Sequence, residues 1–131
     1  MKRLSLDVRP GEYTVLRLAA DATVPENLLR ANGFVSVTRT PDELSVVCPA
    51  AVAPAAELSK PGWRLLTVRG PLEFTLTGIM AALSGELAAA GVSLFAVSTY
   101  DTDHMLVPAT DLARAVAALV EAGHEVHGVD N

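Results

Sequence analysis

The residues able to carry chemistry in this chain are few, and their spacing limits what they can do. Its three histidines are His104, His124 and His127. His124 and His127 are three apart on an expected strand, so they point to opposite faces and make a poor pair for one metal ion. Asp101 and Asp103 fall on one face of an extended segment, which is too little to assign a hard cation. The single cysteine, Cys48, sits inside an apolar stretch with no basic neighbour in sequence, the setting of a buried, inert thiol. No Gly-x-Ser-x-Gly nucleophile elbow is present, and Ser84-Gly85 lies within an expected helix, where small residues serve packing. No catalytic constellation forms, so no enzyme and no cofactor is expected. Two features stand out instead. Asp103 opens an otherwise apolar strand, and either a hydrogen bond into its own turn or contact with a ligand would account for it. Gly70 and Gly78 bracket the approach to a helix, where backbone N–H groups can receive an anion; the alternative is that both glycines serve only the turn and helix packing.

The elements that must position these residues are readable in outline. Residues 4–8 alternate polar and apolar side chains, and residues 13–19 form a β-rich run after the Pro10-Gly11 turn. Residues 25–30 suit a short helical turn with Pro25 at its first position, and Asn32-Gly33 breaks it. Strands are expected at 34–39 and 44–48, the second stopped by Pro49. An Ala- and Pro-rich stretch at 50–61 is the best boundary between halves, with room for at most a short helix. Beyond it the pattern is regular. A strand at 63–68 is followed by a helix at 76–90, whose Leu76, Ile79, Met80, Leu83 and Leu87 recur at helical spacing before Gly91. Strands at 92–98 and 103–107 come next. A second helix then begins near Ala109 or Thr110, with Leu112, Val116, Leu119 and Val120 on its buried face, and a last strand covers 124–129. From Trp63 the order is β-α-β-β-α-β, which packs two helices on one face of an antiparallel sheet in the ferredoxin-like manner.

Bulk properties agree with a small core-forming protein. Half of the 131 residues are hydrophobic and 19% are charged, which excludes a disordered chain. The formal charge of −5, with basic residues scattered and only Arg64 and Arg69 near each other, argues against nucleic-acid binding. One cysteine allows no internal disulfide, and no signal-like or membrane-spanning apolar run occurs. The expected location is the cytoplasm, with no membrane partner.

The two halves echo each other. Thr40-Pro41-Asp42 precedes an apolar strand ending at Pro49, and Thr99-Tyr100-Asp101 precedes one ending at Pro108, the Thr-to-Pro separation being 9 in both. The first half reads as a copy of the second with its helix shortened. The expected division is residues 1–56 for the shortened half and 57–131 for the complete one.

Residues 70–79 (Gly-Pro-Leu-Glu-Phe-Thr-Leu-Thr-Gly-Ile), residues 97–103 (Val-Ser-Thr-Tyr-Asp-Thr-Asp) and the following Leu106-Val107-Pro108 resemble the ACT family. Residues 38–45 (Thr-Arg-Thr-Pro-Asp-Glu-Leu-Ser) resemble the opening copy of its tandem branch. That branch is similar to the regulatory modules of aspartate kinases and to cytosolic arginine sensors of animals. The resemblance implies an α+β fold of two ferredoxin-like units, the first shortened. It also implies a free amino acid as ligand, held at the seam between ACT units, and a regulatory output through an oligomer, expected as a homodimer, or through a protein partner. The expected ligand-binding residues are Gly70, Leu72, Glu73, Phe74, Thr75 and Gly78 from one segment and Ser98, Thr99, Tyr100 and Asp103 from the other. An acid such as Glu73 or Asp103 would meet an ammonium, and the loop amides a carboxylate. The competing reading is a ligand-free interaction module of the same fold.

Overall fold

The computed structural model describes residues 3–70 and 78–129. Its strands are β1 (Ser5–Val8), β2 (Tyr13–Leu18), β3 (Ser36–Arg39), β4 (Leu44–Pro49), β5 (Leu58–Val68), β6 (Phe95–Ser98), β7 (Asp103–Pro108) and β8 (Glu125–His127). Its helices are α1 (Glu26–Leu29), α2 (Ile79–Ala89) and α3 (Leu112–Glu121), with 3-10 turns at Ala50–Val52 and Ala109–Asp111. The chain divides into two compact units, residues 11–63 and residues 1–10 with 64–131. This differs from the expected division at 56/57. The N-terminal strand belongs with the C-terminal unit, and β5 is counted partly in each.

In the unit 11–63 the strand order is β3-β4-β2-β5. Leu16, Leu28, Leu44, Val46 and Cys48 form its core, with α1 contributing Leu28. Strand β5 starts at Leu58 rather than at the expected Trp63, running through Pro61. A register shift makes this workable: Tyr13 faces Trp63 while Val15 faces Lys60, so two steps on β2 oppose three on β5. The extra residue is a bulge, where Pro61 needs no N–H partner and Gly62 adopts φ +83°. The Ala-rich stretch forms only one 3-10 turn before the chain becomes extended.

The larger unit has strands in the order β8-β1-β5-β7-β6. Without β1 this is the ferredoxin-like order for β5-α2-β6-β7-α3-β8. β1 is inserted between the first and last strands, antiparallel to β5 and parallel to β8. The core holds Leu6 and Val8 of β1, Leu66 and Val68 of β5, Met105 and Val107 of β7, Leu83 and Leu87 of α2, and Ala115 and Leu119 of α3. Both helices thus cover one sheet face. The residues of opposite parity, Asp7, Thr67, Arg69 and His104, project from the other. Several expected boundaries shift. The strand expected at 92–98 begins at Phe95, and the last strand is only Glu125–His127. The helix expected from residue 76 starts at Ile79, and residues 71–77 lie outside the described part. Val120, expected on the buried face of α3, is exposed, and Ala115 takes that place.

The internal repeat appears as shared geometry. Thr40 N–H donates to the Glu43 carbonyl and Thr99 N–H to the Thr102 carbonyl, both at 2.9 Å. Pro49 and Pro108 each lead into a 3-10 turn, which continues into a helix only in the second copy.

Candidate ligand-binding site

An open cleft of about 520 Å³ lies on the helix-free face of the larger unit. Asp7 of β1 with Arg9 just after it, Thr67 of β5 with Arg69 and Gly70 just after it, Thr99, Asp101 and Thr102 of the β6–β7 turn, and His104 of β7 line it. Asp7 stands directly opposite Thr67 in the β1–β5 register. Its diagonal neighbour Arg69 donates from Nε to Asp7 Oδ2 and from Nη2 to Oδ1, each at 2.9 Å. This guanidinium holds the Asp7 carboxyl below the ordinary carboxylate range, with smaller contributions from Arg9 and His127, against the opposing effect of burial.

His104 is half-buried, with Nδ1 at 3.1 Å from Thr67 Oγ1 and Nε2 at 3.3 Å from Thr99 Oγ1. Burial pushes its pKa below the ordinary value of 6.5, the Arg9 cation pushes the same way, and Asp103 opposes them. The neutral imidazole is therefore the resting form at neutral pH. Thr102 Oγ1 donates to the Val68 carbonyl at 2.6 Å, which ties the β6–β7 turn to the end of β5.

The residues expected from sequence do not all meet at the cleft. Gly70 and Thr99 line the cleft. Ser98 and Asp103 face each other in the β6–β7 register, and Ser98 Oγ donates to Asp103 Oδ1 at 2.5 Å, so the Asp103 carboxylate is engaged within its own hairpin. Tyr100 is 82% exposed beside the cleft-lining Asp101. Gly78 has φ +79° immediately before α2, a backbone conformation that favours glycine there. Leu72, Glu73, Phe74 and Thr75 lie outside the described residues. Sequence reasoning passed over Asp7, Arg9, Thr67, Thr102 and His104 as site residues, and took Arg69 only as a neighbour of Arg64. Its one usable signal was a charged or polar residue at alternate positions of two otherwise apolar strands. Among the described residues no group of three or more His, Cys, Asp or Glu side chains is placed to hold a metal ion. Among them, too, no helix is long and apolar enough to cross a membrane.

A ferredoxin-like unit with a polar cleft on its helix-free face, together with a smaller unit of the same strand order, defines a tandem of small α+β domains. Residues 58–121 match the ACT domain family, and residues 11–56 match a family described as an N-terminal domain. The chain therefore carries an ACT domain over residues 58–121. Over 58 residues it is 40% identical to the human cytosolic arginine sensor for mTORC1 subunit 1, a stretch that is 44% of this chain and 18% of that protein. The crystal structure of a protein from Agobacterium tumefaciens is 38% identical, with a TM-score of 0.88, covering 96% of this chain and 93% of that one. Aspartate kinase from Clostridium acetobutylicum shares the fold at 13% identity and a TM-score of 0.63, covering 86% of this chain and 33% of the kinase.

Proposed function

We propose that the chain binds a free amino acid at the cleft of the larger unit and acts as a regulatory sensor without catalysing a reaction. One observation carries the reading. The cleft joins a cation, Arg9, and an anion, Asp101, to Gly70, which follows β5 in the sequence and precedes α2. A zwitterion matches this set: its carboxylate suits a guanidinium and loop N–H groups, and its ammonium suits a carboxylate. In this reading Leu72, Glu73, Phe74, Thr75 and Gly78 complete the loop side. Asp103 acts through Ser98 by fixing the hairpin that presents Thr99, Tyr100 and Asp101. The ACT domain and the likeness to an arginine sensor support an amino-acid ligand.

A small binding protein with no reaction of its own must act by favouring one state over another. We assign that role to association in the cytoplasm, as a homodimer or with a protein partner. Among the described residues β6 and β8 are each paired on one side only, which suits this. A thermal-shift screen against the twenty amino acids tests the reading. A ligand at 100 times its Kd adds about 2.7 kcal/mol of stability. A clear shift with one or two amino acids, lost in Asp101→Ala, is the expected result. No shift with any of them would leave the fold as a ligand-free interaction module. Sedimentation of the free and ligand-saturated chain reads the association state.

A further inference from the structure

The two units repeat element for element. β2 (Tyr13–Leu18) matches residues 63–68 of β5, β3 (Ser36–Arg39) matches β6 (Phe95–Ser98), and β4 (Leu44–Pro49) matches β7 (Asp103–Pro108), each pair equal in length. On this alignment Arg17 corresponds to Thr67, Asp42 to Asp101 and Ser45 to His104. Arg17 and Ser45 share a rung of the β2–β4 ladder, on the face turned away from the core residues Leu16, Leu44 and Val46. From that face Arg17 Nη2 donates to the Asp42 carbonyl at 2.7 Å, so a guanidinium reaches from the strand to the turn. In the larger unit the two ends of the matching path, Thr67 and Asp101, both line the cleft. Threonine is too short to cross, and its hydroxyl stands instead 3.1 Å from His104 Nδ1. The cleft thus lies, in one unit, along the path that a side chain takes in the other.

Resting on the amino-acid reading above, we infer that Arg17 is a resident occupant of the first unit. Its guanidinium does for the turn at residues 40–43 what the ammonium of a bound amino acid does for the turn at residues 99–102. The chain accordingly takes one amino acid, and the reach of the side chain at position 67 decides whether the second turn is open to it. A charged N–H donor makes a stronger hydrogen bond to a carbonyl than a neutral one does, and a donor carried by the chain itself needs no association step. The first turn is therefore held at all times, and the second only when the cleft is filled.

The two turns carry matched reporters. Thr40 N–H closes the first and Thr99 N–H the second through equivalent 2.9 Å bonds, so their hydrogen exchange reads each turn separately. Isothermal titration of the full chain with each of the twenty L-amino acids should give one site per chain for those that bind. The bound amino acid should slow exchange at Thr99 and leave Thr40 unchanged. Arg17→Ala, at an exposed position, should quicken exchange at Thr40 severalfold and leave amino-acid affinity as it was. Thr67→Arg, with its fold checked by far-UV circular dichroism, should lower affinity by about tenfold or more, the share of one charge-assisted hydrogen bond, and slow Thr99 exchange without ligand. Thr67→Val removes the same hydroxyl without adding reach, so it should lose less affinity than Thr67→Arg. Two amino acids bound per chain, Thr40 exchange indifferent to Arg17→Ala, or a folded Thr67→Arg that binds like the unaltered chain would each overturn the inference and leave the amino-acid reading standing. Should Thr67→Arg not fold, the Arg17→Ala exchange and the stoichiometry decide. If no amino acid gives heat or slows Thr99, the amino-acid reading fails and this inference with it.

Discussion

His124 is 3% exposed and ties the start of β1 to the helical layer. Its Nδ1 accepts the Leu4 N–H at 3.1 Å, which leaves the ring proton on Nε2, 3.0 Å from Glu86 Oε1. Leu4 is itself buried, and its carbonyl accepts from Glu125 N–H at 2.9 Å. In His124→Ala the Leu4 N–H loses its acceptor where water has no ready access, at a cost of about 1–3 kcal/mol. The emptied imidazole volume adds roughly 1–2 kcal/mol, given about 0.8 kcal/mol per buried methylene-sized group. The variant should therefore lose about 2–5 kcal/mol, a large part of the roughly 5–15 kcal/mol that holds a domain folded. Glu86→Gln is the control. It keeps an oxygen for Nε2–H at a partly exposed position, so its loss should stay below about 1 kcal/mol. Urea unfolding followed by far-UV circular dichroism gives both values, and amide exchange at Leu4 should quicken in the alanine variant alone. A His124→Ala loss under about 1 kcal/mol, or an equal loss in Glu86→Gln, would refute the assignment of Nδ1 as the anchor of β1.

Four further outcomes are expected. Gly128→Ala would put a Cβ 2.6 Å from the Val8 carbonyl oxygen at φ +82°, so it should destabilise more than Gly123→Ala, which has φ +102° but open space; comparing urea midpoints tests this. The Asp7 pKa lies below 3.8, so its pairing contributes fully above that value and is lost as pH falls through the lower folded-state pKa; Asp7→Asn should flatten that acid limb of the stability curve. His104 is also lowered, from 6.5, so the unfolded chain takes up its proton first and stability declines as pH falls from 6.5 to the folded-state pKa; His104→Gln should lack this slope in urea midpoints measured across that window. Cys48 is fully buried, and burial raises its thiol pKa, so a thiol reagent should label it only at the rate of unfolding; rapid native-state labelling would contradict that.

The ferredoxin-like order was legible because local signals agree with the tertiary pattern. Leu83 and Leu87 of α2 recur at helical spacing and are buried, and Pro49 and Pro108 end the strands they were expected to end. What stayed hidden was pairing over distance. Residues 4 and 124 meet through a side chain 120 positions away, and Asp7 meets Arg69 across 62. Nothing local distinguishes such a partner from any other charged residue on a strand, since only register brings them together. The first strand was assigned to the first half for the same reason, because sequence proximity stood in for a pairing that runs to β5 and β8. The start of β5 was missed because Pro61-Gly62 reads as a break, whereas a bulge absorbs it.

The two hairpins hold different partners with their threonines. In the first, Thr40 Oγ1 accepts from the backbone N–H of Asp42 at 3.1 Å and of Glu43 at 3.2 Å, so the turn satisfies itself. In the second, Thr99 Oγ1 donates to the Thr102 carbonyl at 3.1 Å and stands 3.3 Å from His104 Nε2, so the turn is held to the strand that lines the cleft. Aligning Thr40 with Thr99 sets Leu44 against Asp103 and Ser45 against His104. Leu44 is fully buried in the core of its unit, whereas Asp103 has given up that apolar role to hold Ser98. His104 meanwhile occupies a cleft-facing position that carries serine in the first copy. Leu44, which stabilises one unit by packing, is matched in the other by Asp103, which fixes a turn, next to a histidine that lines the cleft. Such a change shows how two copies of one fold come to use equivalent positions differently.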